Sequence, residues 1–560
     1  MQLKKISELN AAHVTDSHAG ECGASRLMPD FRETITLEGQ SDPAISSKVY
    51  YPRVKKLANG KYLLLHMDYR LGGNVFYSLG DALGTFTARQ KLFAAHPVVR
   101  DDGEEDRIMY ANGEAAILPN GDVLAVASFR YNKGYTLDAK YGGLVMRRST
   151  DNGMTFSEEK VIYVGRNWEP YVLVKKDGEI QVYMSHTAPK FYLDKTVRTD
   201  SPIKTSSGTA IIRSYDNGET WTPNVTEPPF AAWRVSQSYV ATMENGTKCF
   251  TNQMATAVEL GDGSIAVATE SDLANYTFRL TVAYTHDNFA HELGIDEDGP
   301  ADKMFAFEEG AGPYMAHFTS GETILSYNWT GLQHIRIGDE NGKNFDKEHE
   351  LITFDGRWGY WGSLTVEDDH TLISAYPNIS EIKNLPKIKT RIDNDLMLGK
   401  LRLNHRIDAL PLTQEWTGNT DALFVGARSQ AQASIRVAYD SDHLYVRADR
   451  LDKYLTAADG IEIRIRVGEN VYKLYQNLAG KSYFECNDIA EDFGADATYT
   501  LRGEMNVWGG SDSGAVTLFT VPKTVLGDAD SFAIDATLKN SDGLDLISEE
   551  LGGPFPVKLK

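Results

Sequence analysis

Cysteine is scarce in this chain: Cys22, Cys249 and Cys486 are the only three in 560 residues, and they stand far apart. That excludes a disulfide framework, and no Cys/His spacing of a zinc site is present, so neither a metal nor an organic cofactor is expected. Long apolar runs are missing too. No stretch is long enough for a membrane helix, and the opening MQLKKISELNAAH has basic residues without an apolar core behind them. Basic charge is in short supply, 57 Lys and Arg against 78 Asp and Glu, for a net charge of -21. Such a surface repels nucleic acid and anionic lipid, so neither is expected as a partner. Sustained 3.6-residue periodicity is also lacking, which excludes a helical domain. What is abundant is Tyr, Trp and Gly, the composition of strands joined by tight turns, with aromatic surface suited to sugar rings.

The chain repeats itself. A β-rich run, a turn and a second β-rich run recur in six copies, beginning at Tyr50, Ala111, Trp168, Gln253, Gly312 and Tyr360. Their turns are Asn59-Gly60, Asn120-Gly121, Asp177-Gly178, Asp262-Gly263, Ser320-Gly321 and Asp368-Asp369, mostly the pairs that supply a two-residue type I′ hairpin. Six such units predict an all-β, six-bladed β-propeller over residues 1–404, stretched by an insertion around 190 to 250. The run ETITLEG near residue 33 is expected to pair with LMLGKLRLN near 396, because an unclosed propeller would leave two bare sheet edges. From residue 405 to 560 the repeat stops and short alternating strands predict a separate β-sandwich.

The segments STDNGMTF (149 to 156) and SYDNGETW (214 to 221) share a Ser-x-Asp-x-Gly-x-Thr-aromatic frame, kept in degraded form by GDENGKNF at 338. The frame resembles the Asp-box of sialidase-like propellers, which makes Asp151 and Asp216 turn residues away from catalysis. The C-terminal run VAYDSDHLYVRADRLD and the later DGIEIRIRV look like a carbohydrate-binding module of family 9 type; Trp416 and Trp508 are its candidates for a sugar platform, or core residues.

In a propeller, the start of strand one and the end of strand two of each blade share a rim. Glu169 lies eight positions before Asp177, and Glu270 seven after Gly263, so two carboxylates from neighbouring blades reach one face. Two convergent carboxyl groups in a concave site are what glycoside hydrolysis requires. On the same rim, Asp68 and Glu114 are candidates to bind sugar hydroxyls, or to be neutralised by Arg53 and Arg130. His186 is a candidate to orient a hydroxyl, against a purely structural role. Trp168 stands beside Glu169, and Tyr360 with Trp361 is the candidate stacking wall.

YPRV at 51, NWEP at 167 and QMATAVELGDGSIAVATE at 253 look like the corresponding blades of the glycoside hydrolase family 93 exo-arabinanases. Over residues 30 to 400, that resemblance implies a retaining enzyme that releases arabinobiose from α-1,5-linked arabinan, with Glu169 as nucleophile and Glu270 as acid/base. QMAT, where the family tends to carry a Gly-Met-Pro-like run, and the 190–250 insertion reshape the pocket wall.

A sialidase is the nearest competitor: Arg53 fits the first arginine of the sialidase triad, but Glu270 stands where the second would be and the fifth repeat offers none. A polysaccharide lyase and a glycan-binding propeller without turnover are further alternatives. An extracellular or periplasmic monomer acting on an oligo- or polysaccharide is the expectation.

Overall fold

The computed structural model describes residues 25–29, 33–35, 49–68, 73–187, 208–224, 252–273, 277–290, 310–330, 332–347, 361–385, 388–412, 422–426, 431–510, 513–541 and 546–551, with shorter pieces between 226 and 307, at 350–352 and at 553–560. It is built of strands, apart from three short 3-10 turns. Six antiparallel sheets follow one another along the chain, with innermost strands Tyr50–Lys56, Glu105–Ile117, Asn167–Val174, Gln253–Glu259, Ala311–His317 and Ser363–Val366. Each innermost strand lies against that of the next sheet and the sixth lies against the first, so the blades close into a ring. Apolar residues of adjoining blades form shared cores: Leu63 and Leu65 of blade 1, for example, pack with Ala125 and Val145 of blade 2. Among the described helices, none is long and apolar enough to cross a membrane.

The ring closes where expected. Glu33–Ile35 pairs with Leu396–Leu398, and Arg26–Pro29 adds a strand against Leu401–Asn404. Those same N-terminal residues also reach the C-terminal sandwich: Met28 is buried in its core with Leu423 and Phe555, and the Arg26 guanidinium lies 5.8 Å from the Phe555 ring. The sandwich core, built from alternating residues such as Ile435, Val437, Ile463, Ile465 and Phe519, therefore borrows one side chain from the other end of the sequence.

The hairpin turns differ from the two-residue type I′ form. In five blades the glycine N–H bonds to the carbonyl three residues back, as from Gly60 to Leu57, and only the glycine has positive φ (Gly60, 81°) while Asn59 does not. This is a type I turn closed by a left-handed glycine bulge, a three-residue loop. The Asn/Asp side chain instead caps the following backbone, as Asn59 Oδ1 accepts from the Lys61 N–H at 3.1 Å.

At the same ends of the blades as these hairpin turns sit the turns with the Ser-x-Asp frame. Ser149 ends a strand whose register places it against Val123, beside the hairpin turn. Asp151 accepts from the Thr155 N–H (2.9 Å) and hydroxyl (2.6 Å), and Asp216 is bound the same way by Thr220 (2.8 and 2.5 Å). A further instance escaped notice in the sequence: Thr285 and Asp287 build the same turn in blade 4, with Phe289 at φ 60° in the glycine position.

Candidate functional site

Six residues at equivalent places, eight positions before Asn59, Asn120, Asp177, Asp262, Ser320 and Asp369 of the turns, have φ between 51° and 67°: Tyr51, Asn112, Glu169, Met254, Gly312 and Trp361. Five of the six are not glycine, although a side chain makes this conformation uncommon. In blades 1 to 5 a β-bulge accompanies it, for instance between Trp168 and Tyr171. Around these positions Tyr51, Met254, Trp168 and Trp361 pack together with Met67 and Ala111 at the ring's central mouth.

In four blades the backbone N–H at this position is bound by the preceding blade. Asn112 N–H donates to Met67 Sδ (3.3 Å), Met254 N–H to Ser185 Oγ (2.8 Å), Gly312 N–H to Glu270 Oε2 (2.6 Å) and Trp361 N–H to Asn328 Oδ1 (3.0 Å). Glu270 and Ser185 thus occupy the same latch position in neighbouring blades. Glu270 is buried and also accepts from Gln253 Nε2 at 2.9 Å. Glu169 is half-buried, and the Ser185 hydroxyl donates to its Oε2 at 2.6 Å. Burial pushes the Glu169 carboxyl up to about 7, against the opposing pull of Ser185.

Tyr51 lies within the field of both carboxyl groups. It is 4 % exposed, its ring stacks on Trp361 with centroids 4.8 Å apart, and its hydroxyl is hydrogen-bonded to the Asn112 side chain. Burial first, then the charges of Glu169 and Glu270, hold its hydroxyl well above the ordinary tyrosine value, so it stays a hydrogen-bond donor. The mouth therefore gathers two carboxyl groups, a phenol and an amide from four blades.

Not every residue expected on this rim is there. Arg53 and Glu114 lie two residues further along their strands, one layer down the channel, where they form an ion pair (2.9 Å). Lys55 (2.9 Å), the Tyr314 hydroxyl (3.0 Å) and the Ala115 N–H complete the shell of Glu114. Burial would raise this carboxyl, but Lys55 and Arg53 outweigh it and hold it below the usual range. Arg53 also donates to the carbonyls of Pro52 and Trp361. This is the neutralised alternative for both residues: they plug the channel beneath the mouth.

His186 is likewise enclosed, 2 % exposed, with Tyr163 Oη 2.9 Å and the Phe230 carbonyl 3.1 Å from Nε2. Burial, then Arg234, pushes it down to about 3, a neutral ring wedged behind blade 3. Asp68, just past the second strand of blade 1, accepts from the Asn74 backbone and side chain. Trp168 carries the Arg130 guanidinium 4.4 Å from one ring centroid, with the Tyr135 edge beside it. Trp361 gives one face to Tyr51, while Tyr360 and Trp416 lie outside the described residues. In the sandwich, Trp508 leans on Tyr454, centroids 5.9 Å apart.

Tyr51, Asn112, Ser185 and Gln253 were missed from sequence. The signal for the first two was present, since Tyr51 and Asn112 stand eight residues before Asn59 and Asn120, as Glu169 does before Asp177. Among the described residues no cluster of three or more His, Cys, Asp or Glu is placed to hold a metal ion.

No protein-family model and no curated protein matches the chain. Among solved structures it is similar to a protein of unknown function from Dyadobacter fermentans, with 14 % identity over 68 % of this chain and 100 % of that one and a TM-score of 0.44. It is also similar to a Trypanosoma rangeli sialidase in complex with 2,3-difluorosialic acid (9 % identity, 89 % and 93 % covered, TM-score 0.41). A third likeness is to a family 9 carbohydrate-binding module from Caldicellulosiruptor kristjanssonii in complex with cellotriose (14 % identity, 28 % and 93 % covered, TM-score 0.22). At this distance the likenesses say nothing about chemistry.

Proposed function

We propose that the protein is a glycoside hydrolase whose catalytic pair is Glu169 and Glu270. The observation that carries this reading is that two carboxyl groups from neighbouring blades meet at the channel mouth around one phenol. They are held there by Ser185 and by Gln253 with the Gly312 N–H. A site built only to bind sugar needs hydroxyl partners; it has no need of a carboxyl group driven up to about 7 beside a second one tied to backbone. Trp168 and Trp361 line the same mouth and offer apolar surface to a sugar ring.

The finer reading is an exo-acting, retaining enzyme that releases arabinobiose from α-1,5-L-arabinan, outside the cell or in the periplasm, and acts as a monomer without metal or organic cofactor. The sandwich is proposed as a sugar-binding or tethering domain. A sialidase reading loses support because Arg53 is engaged with Glu114 in the plug below the mouth.

Product analysis tests this: wild type, Glu169→Gln and Glu270→Gln are incubated with linear α-1,5-arabinan, and the anomeric configuration of the first product is followed by NMR. Arabinobiose of retained configuration from the wild type alone is expected. Unsaturated products from a uronate-containing glycan would replace the proposal with a lyase. No release would end the arabinan claim, with sialosides and uronate-containing glycans assayed next.

A further inference from the structure

The two carboxyl groups are held by different kinds of partner. Glu270 accepts a backbone N–H, from Gly312 at 2.6 Å, and the Gln253 side-chain N–H at 2.9 Å. The first of these is a fixed donor: the positive-φ residue of blade 5 aims its N–H at this oxygen, as the equivalent residues Met254 and Trp361 do at Ser185 and Asn328 in the neighbouring blades. Ser185 and Asn328 show that a neutral acceptor serves as a latch equally well. A carboxylate in this place gains what they do not, because hydrogen bonds donated to it favour its ionised form.

Glu169 is met by a hydroxyl. Ser185 Oγ accepts from the Met254 N–H at 2.8 Å and lies 2.6 Å from Glu169 Oε2. With one lone pair taken by Met254, the hydroxyl either donates its proton to an ionised Glu169 or uses its second lone pair to accept one from a neutral Glu169. The contact therefore serves both protonation states, as a group that releases and recovers a proton requires.

The remaining groups at the mouth come from the other four blades. Blade 1 presents Tyr51 and, behind it, Arg53 ion-paired to Glu114; blade 2 presents Asn112, blade 5 the Gly312 N–H and blade 6 Trp361. Arg130 lies on the ring of Trp168, and Lys55 is bound to Glu114. None of these cations makes an ion pair with Glu169, whose carboxyl is raised by burial.

We infer that Glu270 is the ionised carboxylate that attacks the sugar and that Glu169 is the group that holds and moves the proton, the reverse of the roles implied by the family resemblance. The inference rests on the glycosidase reading for its chemistry. A Glu270 oxygen bonds to the anomeric carbon as the bond to the leaving oxygen breaks, and that oxygen takes the proton of Glu169. Glu169, now ionised, takes a proton from water. The water oxygen bonds to the anomeric carbon, the ester bond to Glu270 breaks, and both groups return to their starting states.

The proton's location can be read without any substrate. Infrared spectra of the full chain as wild type, Glu169→Gln and Glu270→Gln are recorded from pH 5 to 9, following the C=O stretch of protonated carboxyl groups. A band that titrates near neutral pH, disappears in E169Q and persists in E270Q is expected. Asp459 in the sandwich, raised to about 6 chiefly by burial, contributes a second band common to all three proteins, which subtraction removes. Loss of the neutral-pH band in E270Q with its retention in E169Q, or no such band in the wild type, would overturn the inference.

A second arm uses a 2,4-dinitrophenyl arabinobioside with azide. E169A is expected to give the glycosyl azide of retained configuration, and E270A the inverted one; the opposite pairing would refute the roles. If neither arabinan nor this glycoside is cleaved by the wild type, the arabinanase reading falls, while the infrared result still decides where the proton resides.

Discussion

Replacing Glu169 by glutamine should make the protein more stable above neutral pH and leave it unchanged in acid. Folding lifts this carboxyl from 4.5 to about 7. A rise of about 2.5 in pKa at 1.36 kcal/mol each is roughly 3 kcal/mol, and partial exposure at the mouth lowers that to about 2 to 3 kcal/mol. Below about pH 4 the group is protonated in both folded and unfolded chains, and its contribution to stability is fully present. Between about 4.5 and 7 the unfolded chain loses the proton first, so stability falls as pH rises; above about 7 the whole cost of a buried charge is borne.

Glutamine is close to the protonated carboxyl in shape and never ionises. Wild type and E169Q should therefore melt together near pH 4, and at pH 8 E169Q should melt higher. With an unfolding entropy of about 2 cal/mol/K per residue, 560 residues melting as one unit convert the difference to about 2 °C. Scanning calorimetry of both proteins at pH 4, 6 and 8 measures it. A difference that does not change with pH, or an E169Q protein less stable at pH 8, would refute the account of Glu169 as a carboxyl kept neutral by burial.

Other outcomes follow from the same contacts. Glu114→Ala strips the counter-charge from Arg53 and Lys55 in the channel plug and should cost about 3 to 5 kcal/mol in a denaturation experiment; a loss below about 1 kcal/mol would mean the plug relaxes. Tyr51→Phe keeps the stack on Trp361 but removes the hydroxyl that feels the charge of both carboxyl groups, so turnover should fall by about 10- to 1000-fold with the melting temperature nearly kept; unchanged turnover would remove Tyr51 from the site. Met28→Ala removes a buried side chain of the sandwich core supplied by the ring-closing strand, and should cost about 2 to 5 kcal/mol. Because the same strand closes the propeller, both domains should lose stability together; a shift of the sandwich alone would show that they unfold independently.

The six hairpins were legible because their cause is local. Alternating apolar residues and Asn/Asp-Gly turns at a constant spacing define a strand pair wherever they occur, and ring closure by the segment near residue 33 follows from the cost of bare sheet edges. Even so, the turn type came out differently, since one left-handed glycine, rather than two left-handed residues, suffices for the three-residue loop. The Glu169 and Glu270 rim was readable by counting from the turns. The same count reaches Tyr51 and Asn112, whose residue types gave no hint of chemistry.

The sequence by itself therefore determined the blade number, the closing strand and the face that carries the carboxyl pair, all of which depend on spacing within one hairpin or on the need to close a sheet. Depth and partnership were decided only in the tertiary structure. Arg53 meets Glu114 from 61 residues away and the Trp361 carbonyl from 308, because the channel is lined by one strand from each blade and each layer draws on the whole ring. A shift of two residues along an inner strand moves a side chain from the mouth to the plug. No count within a single repeat distinguishes a residue that meets substrate from one that holds the ring together.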